Sequence, residues 1–138
     1  MNKKKPTLTE LNAINKGTMM AFLGMEYLEV NEGEVYARMP VTERNRQPQG
    51  LLHGGSCVAF AETVGGLGSL YLIDHENFDV RGSQINANHI RAVKEGWVFA
   101  KATIIHQGKS THVWNIDILN KAHEIVSTCR LTNFIVAK

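Results

Sequence analysis

What this 138-residue chain has little of narrows its reading first. Cysteine is scarce: Cys57 and Cys129 stand far apart and form no framework of spacings, which excludes a disulfide-stapled scaffold and fits a reducing, cytoplasmic setting. No uninterrupted apolar run reaches membrane-spanning length, and none follows the basic cluster Lys3-Lys4-Lys5, so neither a transmembrane helix nor a signal peptide is expected. That cluster precedes Pro6 and reads as a solvated tail. A net charge of +2, with no basic stripe elsewhere, makes no case for nucleic acid. His53, His75, His89, His106, His112 and His123 lack paired-ligand spacing, so no metal is expected. Gly108-Lys109-Ser110-Thr111 imitates the end of a phosphate-binding loop, but Thr103 stands where the first motif glycine is required and strands flank it. There is no internal repeat and no linker.

What is there is globular material. Apolar residues make up 43% and charged residues 20%, and the length suits one domain over 1–138 that buries a core without staples. Thr7 caps a short helix, with Glu10 three residues on as in a capping box, and 19–23 adds a turn. Residues 25–30 and 34–39 read as strands around a turn at Asn31-Glu32-Gly33, and 42–46 as a polar loop. A long apolar helix covers about 54–73. After a loop at 74–79, strands follow at 84–90, 97–106, 112–119 and 124–136. Trp114, Ile116 and Ile118 alternate with Val113, Asn115 and Asp117, the period of a half-buried strand. Short turns between successive strands imply antiparallel pairing, and a helix apolar nearly all round needs cover on most sides. The expected fold class is α+β, a curved antiparallel sheet wrapped around one long central helix. Gly65, Gly66 and Gly68 each cost about 1 kcal/mol against alanine inside a helix, so something approaches closely there: the sheet on the plainer reading, a ligand on the other.

The chemistry concentrates in 47–62, Gln-Pro-Gln-Gly-Leu-Leu-His-Gly-Gly-Ser-Cys-Val-Ala-Phe-Ala-Glu. Glu62 is the one ionisable residue of the apolar run, and a carboxylate in such a run must be paired, hydrogen-bonded or neutralised. It is either a structural acid paired with an arginine or a general base or nucleophile. The catalytic reading gains from His53-Gly54-Gly55 at the helix start, where unpaired N–H groups at a positive dipole end suit a developing oxyanion. Gly54 and Glu62 lie eight residues apart, about 12 Å along one helix. One helix cannot bring both to one carbonyl, so if both act they come from two chains across a symmetric interface. His53 is a base, a positioning group or a helix cap; with no Ser or Asp at triad spacing, positioning is favoured. Cys57 lies one turn into the helix, where a thiol is acidified, yet among Val58, Ala59 and Phe60 it reads as a small core residue rather than a nucleophile.

The segment from Gln47 to Glu62, with Ile85-Asn86-Ala87-Asn88-His89-Ile90-Arg91 and 108–114, closely resembles hotdog-fold acyl-CoA thioesterases. The branch is the phenylacetate-pathway and aryl-CoA type, which includes the 1,4-dihydroxy-2-naphthoyl-CoA hydrolases of menaquinone synthesis. The resemblance runs from about Leu8 to Val136. It implies hydrolysis of an acyl-CoA thioester without a metal or redox cofactor. It also implies protomers joined sheet edge to sheet edge, with dimers commonly paired into tetramers. In the family, the glutamine and the His-Gly pair come from one chain and the acid from the other, matching Gln47, His53, Gly54 and Glu62. The Gly54 N–H would polarise the carbonyl with help from Gln47, His53 would orient neighbouring groups, and Glu62 would activate water or attack directly. Gly55 belongs to the same motif, and His89, Arg91, Lys109, Ser110 and Thr111 occupy stretches that in relatives line the CoA channel. One departure is Gly66, where relatives often carry Ser or Thr one turn after the acid; Ser69, nearly two turns on, is the substitute on that face. A non-catalytic acyl-CoA or acyl-carrier binding module and a dehydratase on the same scaffold are the rival readings. The intact Gln47, His53 and Glu62 set argues against the first and the motif pattern against the second.

Overall fold

A computed structural model describes residues 4–138, so Lys3 of the basic cluster lies outside the described residues. The elements run α1 (Leu8–Ala13), α2 (Met19–Phe22), β1 (Glu26–Asn31), β2 (Glu34–Pro40), α3 (Gly54–Leu72), β3 (Phe78–His89), β4 (Trp97–Gln107), β5 (Thr111–Leu119) and β6 (Ile125–Ala137). The strands form one six-stranded sheet in the order β1-β2-β4-β5-β6-β3, antiparallel at every pairing. α3 carries the chain from β2, near one side of the sheet, to β3 at the opposite edge. Register shifts at Tyr27/Glu29, Gly82/Gln84, Ile104/His106 and Ile118/Leu119 each place an extra residue in one strand. Such bulges bend the ladder, and the sheet curls around α3.

Local signals account for most of these elements. Thr7 Oγ1 accepts from the Glu10 N–H at 3.2 Å while Glu10 Oε2 accepts from the Thr7 N–H at 2.7 Å, the reciprocal cap expected of that pair. Asn12 then ties α1 to the edge strand: its amide donates to the Tyr27 carbonyl (3.0 Å) and accepts the Tyr27 N–H (2.8 Å), standing in for a missing β partner. In β5, His112, Trp114, Ile116 and Ile118 all face inward, so the expected alternation holds and gains a histidine.

The core sits between α3 and the inner sheet face. Cβ atoms added at Gly65 or Gly68 would come closer than 3.0 Å to Leu131 and to the Trp114 ring respectively, whereas one at Gly66 would meet nothing within 4 Å. Two of the three helix glycines therefore serve the packing of helix on sheet, and the third faces open space. Next to Gly68, Ser69 is fully buried. Its Oγ accepts from Trp114 Nε1 (2.9 Å) and from Asn133 Nδ2 (3.0 Å), which leaves its own proton for His112 Nδ1 at 2.9 Å. Ser69 is thus a packing hub inside the sheet, not a residue of the open helix face that its spacing from Glu62 suggested. Asn133, His112 and Trp114 close over the helix at that level.

Two further expectations change. β3 begins at Phe78 and not at 84, because its ladder with β6 continues through Asp79, Val80 and Arg81, and Gly82, which looks like a breaker, is absorbed in the bulge. The basic cluster is not wholly a solvated tail: Lys5 donates to the Tyr71 carbonyl, lies 4.6 Å above the Tyr71 ring and pairs with Glu32 at 3.7 Å.

Burial, and next the nearby His106, hold the His112 imidazole below its ordinary value of 6.5. The folded chain keeps this group neutral while the unfolded chain takes up a proton near the ordinary value, so stability is complete above that value and falls with pH. Unfolding free energy measured by denaturant titration is expected to drop between about pH 7 and pH 5, and a His112→Asn protein, weaker overall, is expected to lose that part of the slope. An unchanged slope in the variant contradicts the assignment.

Candidate active site

The first group of candidate residues is built by the loop before α3. Buried Asn45 organises it: Oδ1 accepts the Thr42 N–H (2.9 Å), Nδ2 donates to the Pro40 carbonyl (2.8 Å), and its own carbonyl accepts the His53 N–H (2.8 Å). A tight turn follows, with Gly50 at φ 80° and its N–H donating to the Gln47 carbonyl at 2.9 Å. The Gln47 N–H donates to Leu51 at 2.8 Å and Arg46 bridges to Leu52, so Gln47 and His53 come to the foot of one small hairpin. The Gln47 amide folds over the turn, accepting from the Gln49 N–H and donating to Gln49 Oε1 at 3.2 Å.

His53 is the N-cap of α3, and its Nδ1 accepts the Gly55 N–H at 2.8 Å. The cap reading of His53 is therefore the one its geometry displays, and a neutral ring with Nδ1 accepting carries its proton on Nε2. The Gly55 amide is occupied by this bond. The Gly54 amide has no partner among the described residues, as befits a leading helix N–H. The His89 ring lies against Gly54, where an added Cβ would stand 2.6 Å from Nε2, and His89 Nδ1 is held by Ser127 Oγ at 2.9 Å. A side chain at that position would have to displace the His89 ring.

Glu62 belongs to a different place. It is exposed in the protomer, which corrects the expectation of a buried acid. The sheet covers the Cys57, Phe60, Val64 and Gly68 side of α3, and the stripe Ala59, Glu62, Thr63, Gly66 and Leu70 is left facing a cavity of about 530 Å³. The carboxylate takes no hydrogen bond or ion pair from the described residues, so no arginine partner accounts for it. It rests instead on the β3 backbone: an added Cβ at Gly82 would collide with Glu62 Oε1.

The expected CoA-contacting residues divide likewise. Arg91 donates to the Ile125 carbonyl (2.7 Å) and pairs with Glu124 (3.4 Å), next to His89 at the end of β3. Lys109 and Ser110 lie in the exposed β4–β5 turn, closed by the Gly108 N–H donating to Thr111 at 2.8 Å. Thr111 stands opposite Phe134, which stands opposite Arg81, so this turn shares the Gly82 end of the sheet. About 20 Å of strand separates Gly82 from His89. One protomer thus groups Gln47, His53, Gly54, Gly55, His89 and Arg91 at one pole. It groups Glu62, Gly66, Lys109, Ser110 and Thr111 at the other. Ser69 joins neither. Among the described residues no cluster of His, Cys, Asp or Glu is arranged to hold a metal ion, and no helix is long and apolar enough to cross a membrane.

Sequence reasoning missed Gly82, Asn15 and Asn133. A lone glycine in a strand pattern is itself a sign of a bulge or close approach, and would have pointed to Gly82. The asparagines carry no local signal, because long-range packing alone brings them to the cavity wall.

The model of the thioesterase superfamily matches residues 49–127. A 1,4-dihydroxy-2-naphthoyl-CoA hydrolase from Escherichia coli (strain K12) is 38% identical over 97% of this chain and 98% of its own. A mutant thioesterase from Pseudomonas aeruginosa, 35% identical, superposes with a TM-score of 0.95 over 99% of this chain and 98% of its own. A thioesterase from Haemophilus influenzae, 40% identical, gives 0.92 over 98% and 94%.

Cys57 is buried against the sheet, and burial first, then the neighbouring Cys129, pushes its thiol up to about 12. A thiol so placed is neutral and shielded at neutral pH. Iodoacetamide at neutral pH is therefore expected to leave Cys57 unmodified in the native protein and to label both cysteines after unfolding in urea, read by mass spectrometry. Fast, selective labelling of native Cys57 would restore it as a nucleophile.

Proposed function

The chain belongs to the thioesterase superfamily, and on that premise we propose that it hydrolyses an acyl-CoA thioester to the free acid and CoA. An aryl acyl group is preferred, and 1,4-dihydroxy-2-naphthoyl-CoA, the substrate in the name of the Escherichia coli relative, is the candidate. The observation that carries this reading is the presence of two incomplete half-sites in one protomer: beside a cavity at one pole a carboxylate, and under a histidine at the other a helix N–H, neither with a partner among the described residues.

In this reading the thioester carbonyl sits between Glu62 of one chain and the partner's Gly54. The Gly54 N–H and the Gln47 amide donate to the carbonyl oxygen and stabilise negative charge as it develops there. His53 holds the neighbouring Gly55 amide and keeps the first helical turn in place. Glu62 takes a proton from water as that water attacks the carbonyl carbon; the tetrahedral oxyanion then collapses, the C–S bond breaks, and the CoA sulfur leaves and is protonated. Direct attack by Glu62 would give an anhydride instead. A single turnover in heavy-oxygen water separates the two, since only direct attack leaves label in Glu62. Arg91 and Lys109, from opposite poles and hence from different chains, would supply cations for the nucleotide phosphates.

The assembly follows from the poles. β3 is an edge strand of 12 residues with its outer side unpaired, and a two-fold axis beside it sets the His89 end of one chain against the Gly82 end of the other. We take the protein to be a homodimer with two shared sites, paired into a homotetramer, acting in the cytoplasm as one domain.

Glu62→Ala is expected to lose at least ~10²-fold in turnover with little change in substrate binding. A second protein carrying Gln47→Ala and His53→Ala is expected to be inactive as well. Mixing the two should recover activity, because each heterodimer keeps one whole composite site. Verified subunit exchange with no recovery, or full activity in a monomer, refutes the shared site. Gly82→Ala tests the seat of the carboxylate: it is expected to lower kcat roughly tenfold while thermal stability stays close to wild type, since the position is exposed. Unaltered kcat would show that β3 does not position Glu62.

A further inference from the structure

Two buried polar atoms of residues that line the Glu62 cavity have no partner among the described residues: the Nδ2 donor of Asn15 and the Oδ1 acceptor of Asn133. Their residues are 5% and 1% exposed. Folded interiors leave few such atoms, and here a donor and an acceptor belong to two residues that line one cavity, each atom itself buried just behind its surface. The other half of each amide is committed. Asn133 Nδ2 donates to Ser69 Oγ (3.0 Å) and to the Gly65 carbonyl (3.3 Å), while Asn15 Oδ1 accepts from the Tyr27 hydroxyl at 3.4 Å. Exchanging N and O of Asn133 would set its oxygen against the Gly65 carbonyl oxygen, so the acceptor is the atom left over. Asn15 in turn is carried on the segment that Asn12 ties to β1.

Much of the remaining lining is apolar, including Ile14, Met20, Leu67 and Leu70. An apolar body with a few placed polar groups is how a small-molecule pocket sets orientation. A hydroxyl is the smallest group that accepts from an amide N–H and also donates to an amide oxygen. A methyl group or a bare ring edge does neither. Reaching the lumen takes a turn about the broad asparagine χ2, and for Asn133 that turn trades its Nδ2 bonds to Ser69 and Gly65 for those to the ligand.

We propose that this cavity selects acyl groups bearing a hydroxyl substituent, with Asn15 and Asn133 as specificity-determining residues. The inference rests on the reading of the cavity as the acyl site beside Glu62. It goes further in assigning selection to the chain that supplies the acid, and to these two side chains within it.

The test compares matched thioesters: benzoyl-CoA against the hydroxybenzoyl-CoA isomers, and 2-naphthoyl-CoA against its hydroxylated forms. In wild type, kcat/KM is expected to favour at least one hydroxylated member of each series roughly tenfold or more, since a site built to hydrogen-bond a hydroxyl discriminates against the analogue without it. Asn133→Leu and Asn15→Leu are expected to bring that ratio toward one. Equal rates across the wild-type pairs overturn the inference while leaving thioester hydrolysis standing, and this arm needs no variant to fold. A preference that survives both substitutions in folded proteins overturns the assignment to these residues. If no CoA thioester is cleaved, the parent reading fails on its own. The pocket is then judged by binding of phenacyl-CoA against hydroxyphenacyl-CoA, which cannot be hydrolysed: roughly tenfold tighter binding of the hydroxylated ligand upholds the selection, and equal Kd values sink it.

Discussion

At Gly65 and Gly68 the backbone of α3 lies against Leu131 and Trp114 with no room for a Cβ, and the rest of the protomer is arranged around that contact. Glycine in a helix costs about 1 kcal/mol per position. Close packing of a large indole and a leucine against bare backbone offsets it, because dense interiors gain from every atom pair brought to contact. The contact also fixes the rotation of the helix about its own axis. Once those glycines face the sheet, the stripe through Ala59, Glu62, Thr63, Gly66 and Leu70 must face away from it. The placement of the acid is thus a by-product of where the helix is allowed to touch.

Ser69 joins packing to recognition. Its hydroxyl is shared by Trp114, which the helix glycines admit, by His112 on the same strand, and by Asn133, which borders the cavity. A buried polar cluster of this kind is stable only when nearly every member is satisfied. Here the one fully buried atom of the cluster with no partner among the described residues is the Asn133 oxygen, on a residue of the cavity wall. The core therefore holds the amide of a residue that lines the cavity, with the bonding capacity of one buried atom left vacant.

What could be seen in the amino-acid order follows a division between local and distant causes. The Thr7–Glu10 cap, the start of α3 at Gly54, the alternation through β5 and the antiparallel order all rest on neighbours within a few residues, and they stand in the structure. The impossibility of Gly54 and Glu62 meeting within one helix was also legible, since it needs only helical rise. The start of β3 was not, because Asp79 and Gly82 spoil its pattern and the ladder with β6 that overrides them comes from the far end of the chain. The exposure of Glu62 and the burial of Ser69 were hidden for a related reason. A run of apolar residues does not say which side a sheet will cover, and the same face is open at one level and closed by Asn133 and His112 two turns later. The anchoring of Lys5 on Tyr71 spans the length of α3 and has no trace nearby.

β3 touches both poles: its Gly82 seats the acid and its His89 seats against Gly54. The strand therefore acts as a ruler whose graduation is the residue. Loops elsewhere, such as the β4–β5 turn, can lengthen or shorten without moving either group relative to the other. Inserting one residue between Gly82 and His89 turns the following side chains to the opposite face of the sheet, and inserting two preserves the face but lengthens the span by about 7 Å. Ser83, the residue of the bulge that has no opposite number in β6, already represents one such adjustment. Length variation among proteins built on this plan should therefore collect in the turns and at the ends, and leave the interval from Gly82 to His89 constant, because that interval is a distance before it is a sequence.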